Sequence, residues 1–206
     1  MQPIVRRATP DDIPALVDLI YDLAEYEQAR DECTLTSEQL HTALFGPSPS
    51  VFAHVATLDG VVAGCAIWFL NFSTWDGVHG IHLEDLYVRP EARGTGLGKA
   101  LVAALAREAV DRGYTRVGWS VLTWNTPAIE FYEALGAVAQ DEWVGYRLAG
   151  DALTTLAAGA SRNPVQDPSD RPLSTPAPYS DAIHREVAGR KSSTSAPITT
   201  TPRTEP

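Results

Sequence analysis

Along the first 150 residues, apolar positions recur at two spacings. Ile13, Leu16, Val17, Ile20, Leu23 and Ala24 stand three and four apart, the period of one buried helix face. Ahead of them, Thr9, Pro10, Asp11 and Asp12 supply an N-cap, a proline suited to the first helical position, and acids where the helix dipole favours them. Ser37 to Leu44 repeats the pattern behind a Thr36 cap and is stopped by the run Gly46-Pro47-Ser48-Pro49-Ser50. Leu101, Val102, Leu105, Ala106 and Ala109 predict a helix over Gly98 to Arg112, ended by Gly113, and Pro127 to Leu135 reads as another, ended by Gly136. Short runs between these read as strands: Pro3 to Ala8, Val51 to Leu58, Val61 to Asn71, Ile81 to Val88, Arg116 to Leu122 and Glu142 to Leu148. Asp59-Gly60, between the second and third, is a dipeptide favoured in tight hairpin turns. The order β-α-α-β-β-β-α-β-α-β predicts an α/β domain, a mixed sheet with helices on its faces.

The chain of 206 residues is long enough for one such domain with some excess. From Ser161 onward it turns to Pro, Ser, Thr and small residues, which cannot bury enough apolar surface to offset their ordering entropy. The expected organisation is therefore a domain over residues 1–160 and a disordered tail over 161–206. That tail carries six Lys/Arg against five Asp/Glu, so of the chain's net charge of −10 the domain holds about −11. An acidic domain has no basic stripe to neutralise nucleic-acid phosphates and suits a cationic partner instead. No stretch approaches the roughly 20 apolar residues that span a bilayer, and the N-terminal stretch has no apolar signal core. Cys33 and Cys65 lie away from other thiols or histidines at ligand spacing. We expect reduced thiols in a soluble cytoplasmic protein, with no metal and no membrane or nucleic-acid partner.

The segment Leu83 to Lys99, LEDLYVRPEARGTGLGK, joins a predicted strand to a predicted helix through three glycines at alternate positions. A helix start exposes free N–H groups and a partial positive charge, so a bare backbone there lets a phosphate approach closely; the plain alternative is an ordinary turn. Other phosphate loops are excluded by spacing. Gly98-Lys99-Ala100 has no hydroxyl where a Walker loop needs one, and G-x-G-x-G late in the chain is not a dinucleotide fingerprint. The segment resembles the pyrophosphate loop of the GNAT superfamily of acyl-CoA-dependent N-acetyltransferases: Gln or Arg, two residues, Gly, one residue, Gly or Ala. Arg93, Gly96 and Gly98 fill it. The resemblance runs from Pro3 to Leu148, through RRATPDD, LEDLYVRPEARGTGLG and WNTPAIEFYEALGA. LAEYE, STW, LED and WN-x-P-A-x-x-FY are most similar to the diamine and thialysine acetyltransferase branch.

That resemblance implies a GNAT-type, mainly antiparallel sheet whose central strands splay to admit the pantetheine arm of acetyl-CoA. It places Leu86, Tyr87, Val88, Arg93, Gly94, Thr95, Gly96, Leu97, Gly98, Lys99 and Asn125 on the cofactor, and it implies a homodimer. Asn125 is also positioned to cap the following helix; Thr126 offers an alternative cap, so the reading favours the ligand.

A lysine-like acceptor amine has a pKa of about 10.4 and must lose a proton before it can attack, which calls for a base. Glu84 and Asp85 are adjacent, so on an ideal strand they face opposite ways; both line one cleft only if a bulge intervenes. By resemblance, Glu84 is the general base acting through ordered water, Asp85 contacts the acceptor amine, and Tyr132 is the general acid beside the thioester sulfur. Phe131 and Tyr132 point about 100° apart on a helix, so at least one leaves the main core face.

Tyr26, Glu27 and Trp75 combine charge and aromatic faces suited to an ammonium group. Polyamine-acetylating members carry an acid where this chain has Ser73, which shifts the expected acceptor toward an amino-acid-like or shorter amine, with Asp76 as a replacement charge. Trp143 and Tyr146 either close the same cleft or pack in the core. Cys33 among acids and Cys65 in an apolar strand give no setting for a thiolate nucleophile.

The expected activity is acetyl transfer from acetyl-CoA to a primary amine of a small cationic acceptor, by direct attack in a ternary complex. The acceptor is a diamine, a polyamine or a lysine-like amino acid. Alternatives keep the cofactor and change the acceptor to a protein lysine, a protein N-terminus or an aminoglycoside, or drop turnover for a CoA-binding regulatory module. The presence of both Glu84 and Tyr132 disfavours the last.

Overall fold

The computed structural model describes residues 4–159, and the expected tail lies outside them. Ile4–Arg7 (β1) leads through a 3₁₀ turn into Ile13–Tyr26 (α1), and Ser37–Phe45 (α2) follows. Phe52–Leu58 (β2), Val61–Ser73 (β3) and Val78–Val88 (β4) form the centre. Leu97–Asp111 (α3), Val117–Gly118 (β5), Thr126–Ala134 (α4) and Gly150–Gly159 (α5) complete it. The strands lie in sequence order, antiparallel except for the parallel pair β4 and β5. The Asp59-Gly60 turn has positive φ at both residues, 52° and 83°, as a two-residue hairpin requires.

The sheet is buried on both faces. Leu97, Leu101 and Leu105 of α3 pack with Ala66, Trp68, Ile81 and Leu83 on one side. Leu16 and Leu19 of α1, with Leu40 and Leu44 of α2, cover Val55, Cys65, Ile67 and Tyr87 on the other. Alternation alone would put Leu83 and Tyr87 on the same face. They lie on opposite ones because the β3–β4 register slips: Trp68 pairs with Leu83 and Ile67 with Asp85, leaving Glu84 as an extra residue.

The turn before α1 is tied by charge. Arg6 grips both oxygens of the buried Asp12 carboxylate at 2.6 and 2.8 Å, and the Thr9 N–H adds a bond at 2.7 Å. Arg6, by hydrogen bonding, holds that carboxyl down at about 2. A depressed carboxyl stabilises the fold above its unfolded value, and that contribution is lost as pH falls from about 4 to about 2. Asp12→Asn is expected to cost about 1–3 kcal/mol at pH 7. Scanning calorimetry should show the gap from wild type narrowing as pH approaches 2.

Three sequence expectations are corrected here. The strand expected over Arg116 to Leu122 is only Val117–Gly118, because β5 turns away from β4 after two paired residues. Glu142 to Leu148 is not a strand: the short β5 offers it no ladder, and Trp143, Val144 and Tyr146 are exposed. Finally, α5 forms where no element was expected, with Leu153 and Leu156 at helical spacing.

Candidate active site

β4 and β5 pair only at Ile81 with Val117 and His82 with Gly118. Beyond that point they separate, and a cleft of about 750 Å³ opens between them. This is the splayed pair expected from the resemblance. The end of α1, the second half of β4, the glycine loop, the segment after β5 and the first turns of α4 form its walls.

The loop end is built for an anion. Gly94 and Gly96 have φ of 76° and 88°, and no atom lies within 4 Å of the position a Cβ would take at either. Gly96 is the N-cap of α3, and no side chain caps that end, so the first N–H groups of the helix stay open. A Cβ at Gly98 would meet the Phe131 ring at 3.4 Å, an ordinary contact, so the approach of α3 to α4 does not itself require glycine there. Arg93 donates from Nε to the Val88 carbonyl at 3.0 Å, and its guanidinium lies over the rings of Tyr26 and Tyr87 at 5.3 and 5.7 Å. Lys99 completes the basic end.

The cleft also carries a group of acids. The bulge at Glu84 turns Asp85 toward the α1 face, so Glu84, Asp85 and Glu27 of α1 all line the cleft. Burial, reinforced by the charges of Glu84 and Glu27, lifts the Asp85 carboxyl to about 6. Burial also raises Glu27. Glu84 is more open, its side chain 59% exposed, with His82 Nε2 3.7 Å away. Burial, with Glu27 adding to it, pushes the Tyr132 hydroxyl up to about 12; its ring is wedged against Trp119 and Phe131 at 4.7 and 5.2 Å.

Asn125 is the N-cap of α4, its Oδ1 accepting from the Ala128 N–H at 3.4 Å and from the Tyr26 hydroxyl at 2.9 Å. Of the two caps the sequence allows, Asn125 and Thr126, the structure uses Asn125. The residue still lines the cleft, so its amide nitrogen can serve a ligand.

Leu86, Tyr87, Val88, Arg93, Gly94, Gly96, Leu97, Gly98 and Lys99 all line the cleft with Tyr26, Glu27, Glu84, Asp85 and Tyr132. Thr95 does not; its hydroxyl donates to the Ala92 carbonyl at 2.6 Å, inside the loop. Trp75 is not brought in either. It sits in the β3–β4 turn, 89% exposed, and neighbouring Asp76 pairs with Arg116. Trp143 and Tyr146 also stay outside. Leu23, Trp119 and Arg147 line the cleft without having been singled out. Arg147 alternates with Tyr146 and Leu148, but a one-chain pattern does not show which side meets a cleft. Among the described residues, no cluster of three or more His, Cys, Asp or Glu is placed to hold a metal ion. Nor is any described helix long and apolar enough to cross a membrane.

Residues 16–137 match the acetyltransferase (GNAT) family. The chain is 34% identical over 165 residues to the thialysine N-epsilon-acetyltransferase of Bos taurus, covering 75% of this chain and 96% of that one. It is 31% identical over 197 residues to an L-ornithine N5-acetyltransferase of Arabidopsis thaliana, covering 74% and 86%. Among solved structures, an integron cassette protein from the mobile metagenome of V. cholerae superposes with a TM-score of 0.65 at 26% identity, over 76% of this chain and 98% of that one. The match takes in the bulged strand, the glycine loop and the helix of Tyr132 together, and on that ground the chain belongs to the GNAT family and is an N-acetyltransferase.

Proposed function

We propose that this chain transfers the acetyl group of acetyl-CoA to a terminal primary amine of a small cationic acceptor, an amino acid of the thialysine or ornithine type, or a diamine or polyamine. The observation that carries this reading is the polarity of the cleft. An open helix N-terminus with Arg93 and Lys99 lines it on the glycine loop and α3, and Glu27, Glu84 and Asp85 line it from α1 and the bulge of β4. The residues fit acetyl-CoA: the glycine loop would give its pyrophosphate a backbone no Cβ obstructs, and the Asn125 amide nitrogen would serve its pantetheine arm. When bound, acetyl-CoA supplies an acetyl group activated as a thioester.

The protein's part is to hold the amine, remove its protons and assist the departing sulfur. Asp85 and Glu27 attract the ammonium, and Glu84, open to water, takes its proton through a water molecule. Tyr132, held protonated, would donate a hydrogen bond to the thioester sulfur as it departs. The amine attacks directly. Cys65 is fully buried, with burial pushing its thiol up to about 12, and cannot carry an acetyl group.

The partner copy of an expected homodimer finds support in the exposed run Trp143, Val144, Tyr146 and Leu148, a strand pattern with no ladder among the described residues. Free Cys33 and Cys65 suit a cytoplasmic setting.

Thiol release from acetyl-CoA, measured against thialysine, ornithine, lysine, putrescine, spermidine and an aminoglycoside, tests the reading. Turnover on a small amine that drops in Glu84→Gln supports it. CoA binding without turnover on any amine overturns it in favour of a binding module.

A further inference from the structure

The carboxamide of Asn125 is 8% exposed, and its oxygen has two lone pairs. The Ala128 N–H takes one at 3.4 Å, a long bond. The Tyr26 hydroxyl, 99 positions away in the chain, takes the other at 2.9 Å. With the oxygen doubly engaged, the donor end of the amide is the part left for a ligand. The Ala128 N–H, a donor only, decides which end of the amide faces it, while the Tyr26 hydroxyl, able to donate or accept, holds the side chain in place from α1. Tyr26 is itself fixed on two sides, by the Arg93 guanidinium at 5.3 Å and by Trp124 at 6.0 Å between ring centres.

We infer that Tyr26 is a positioning residue for Asn125, its hydroxyl holding the carboxamide in place so that the amide donors left by the α4 cap face the cleft at a fixed point and meet a carbonyl-bearing arm there. The hydroxyl is then engaged in orienting the cofactor site from α1, rather than in contacting the acceptor amine as the sequence suggested. The inference rests on the acetyl-CoA reading, since the pantetheine arm brings amide carbonyls.

Calorimetric titration of the full chain with two ligands tests it: CoA, and 3′-phosphoadenosine 5′-diphosphate, which keeps the pyrophosphate and lacks the arm. Tyr26→Phe retains the ring for Arg93 and Trp124 and removes only the hydroxyl. It is expected to weaken CoA about five- to tenfold, the effect of one hydrogen bond, and to leave the arm-less ligand unchanged. Asn125→Asp, which keeps the cap oxygen and loses both donors, should weaken CoA at least as much. If Tyr26→Phe weakens both ligands alike, or neither, the inference is overturned while the acetyl-CoA reading stands. If wild type does not bind CoA, both fall.

Discussion

Tyr132→Phe is expected to lower kcat by about 10²- to 10⁴-fold, the range in which a positioned proton donor acts, with little change in acceptor KM. The hydroxyl is lifted to about 12, so the phenol is intact at any working pH. An ordinary thiol has a pKa of about 8.5, so Tyr132 does not surrender its proton early; it strengthens its bond to the sulfur as charge builds there. The ring is wedged between Trp119 and Phe131, and phenylalanine keeps that packing. Melting temperature should therefore stay close to wild type, and steady-state kinetics will isolate the loss of the hydroxyl. An unchanged kcat would make Tyr132 a packing residue and assign the proton to water.

Asp85→Asn should do two opposite things. Losing a charged partner for the acceptor ammonium should raise KM about 10- to 100-fold, from a charge-assisted bond worth roughly 1.5–3 kcal/mol. The same change should stabilise the fold. An isolated Asp ionises near 3.8, whereas Asp85 in the folded protein holds its proton to about 6. Its contribution to stability is thus complete below about 4 and is lost as pH rises through 6, leaving a penalty at pH 7. Asparagine is neutral throughout and carries none. Calorimetry should find the variant more stable by about 1–3 kcal/mol at pH 7, with the difference vanishing near pH 4. An equal difference at both values would show that ionisation is not its source. In wild type, kcat/KM for a cationic acceptor should fall as pH drops below 6.

These two residues also mark where sequence and structure part. The helices of the domain were legible because apolar side chains three and four apart must share a face, and the hairpin because Asp59-Gly60 suits the positive φ both residues adopt. The glycine loop was legible because the chemistry it serves requires bare backbone between a strand and a helix. The bulge was not. Leu-Glu-Asp-Leu scans as plain alternation, and the slip at Glu84 comes from pairing with Ile67 and Trp68, sixteen or more positions away. The Tyr26–Asn125 bond joins residues brought together only by the finished fold. The alternation after Glu142 reads as a strand because strand patterns report a tendency to pair, and among the described residues the two-residue β5 gives it nothing to pair with.

The bulge at Glu84 also acts as a counting device. Before it, odd-numbered residues of β4 such as Ile81 and Leu83 face α3; after it, even-numbered Leu86 and Val88 do. Plain alternation through the same residues, with Glu84 paired rather than bulged, would send the Asp85 carboxylate into the Leu97–Leu101 cluster and turn Leu86 toward the acceptor. One surplus residue is therefore what lets two neighbouring carboxylates serve the same cleft, and in this strand an insertion or deletion counts for more than most substitutions.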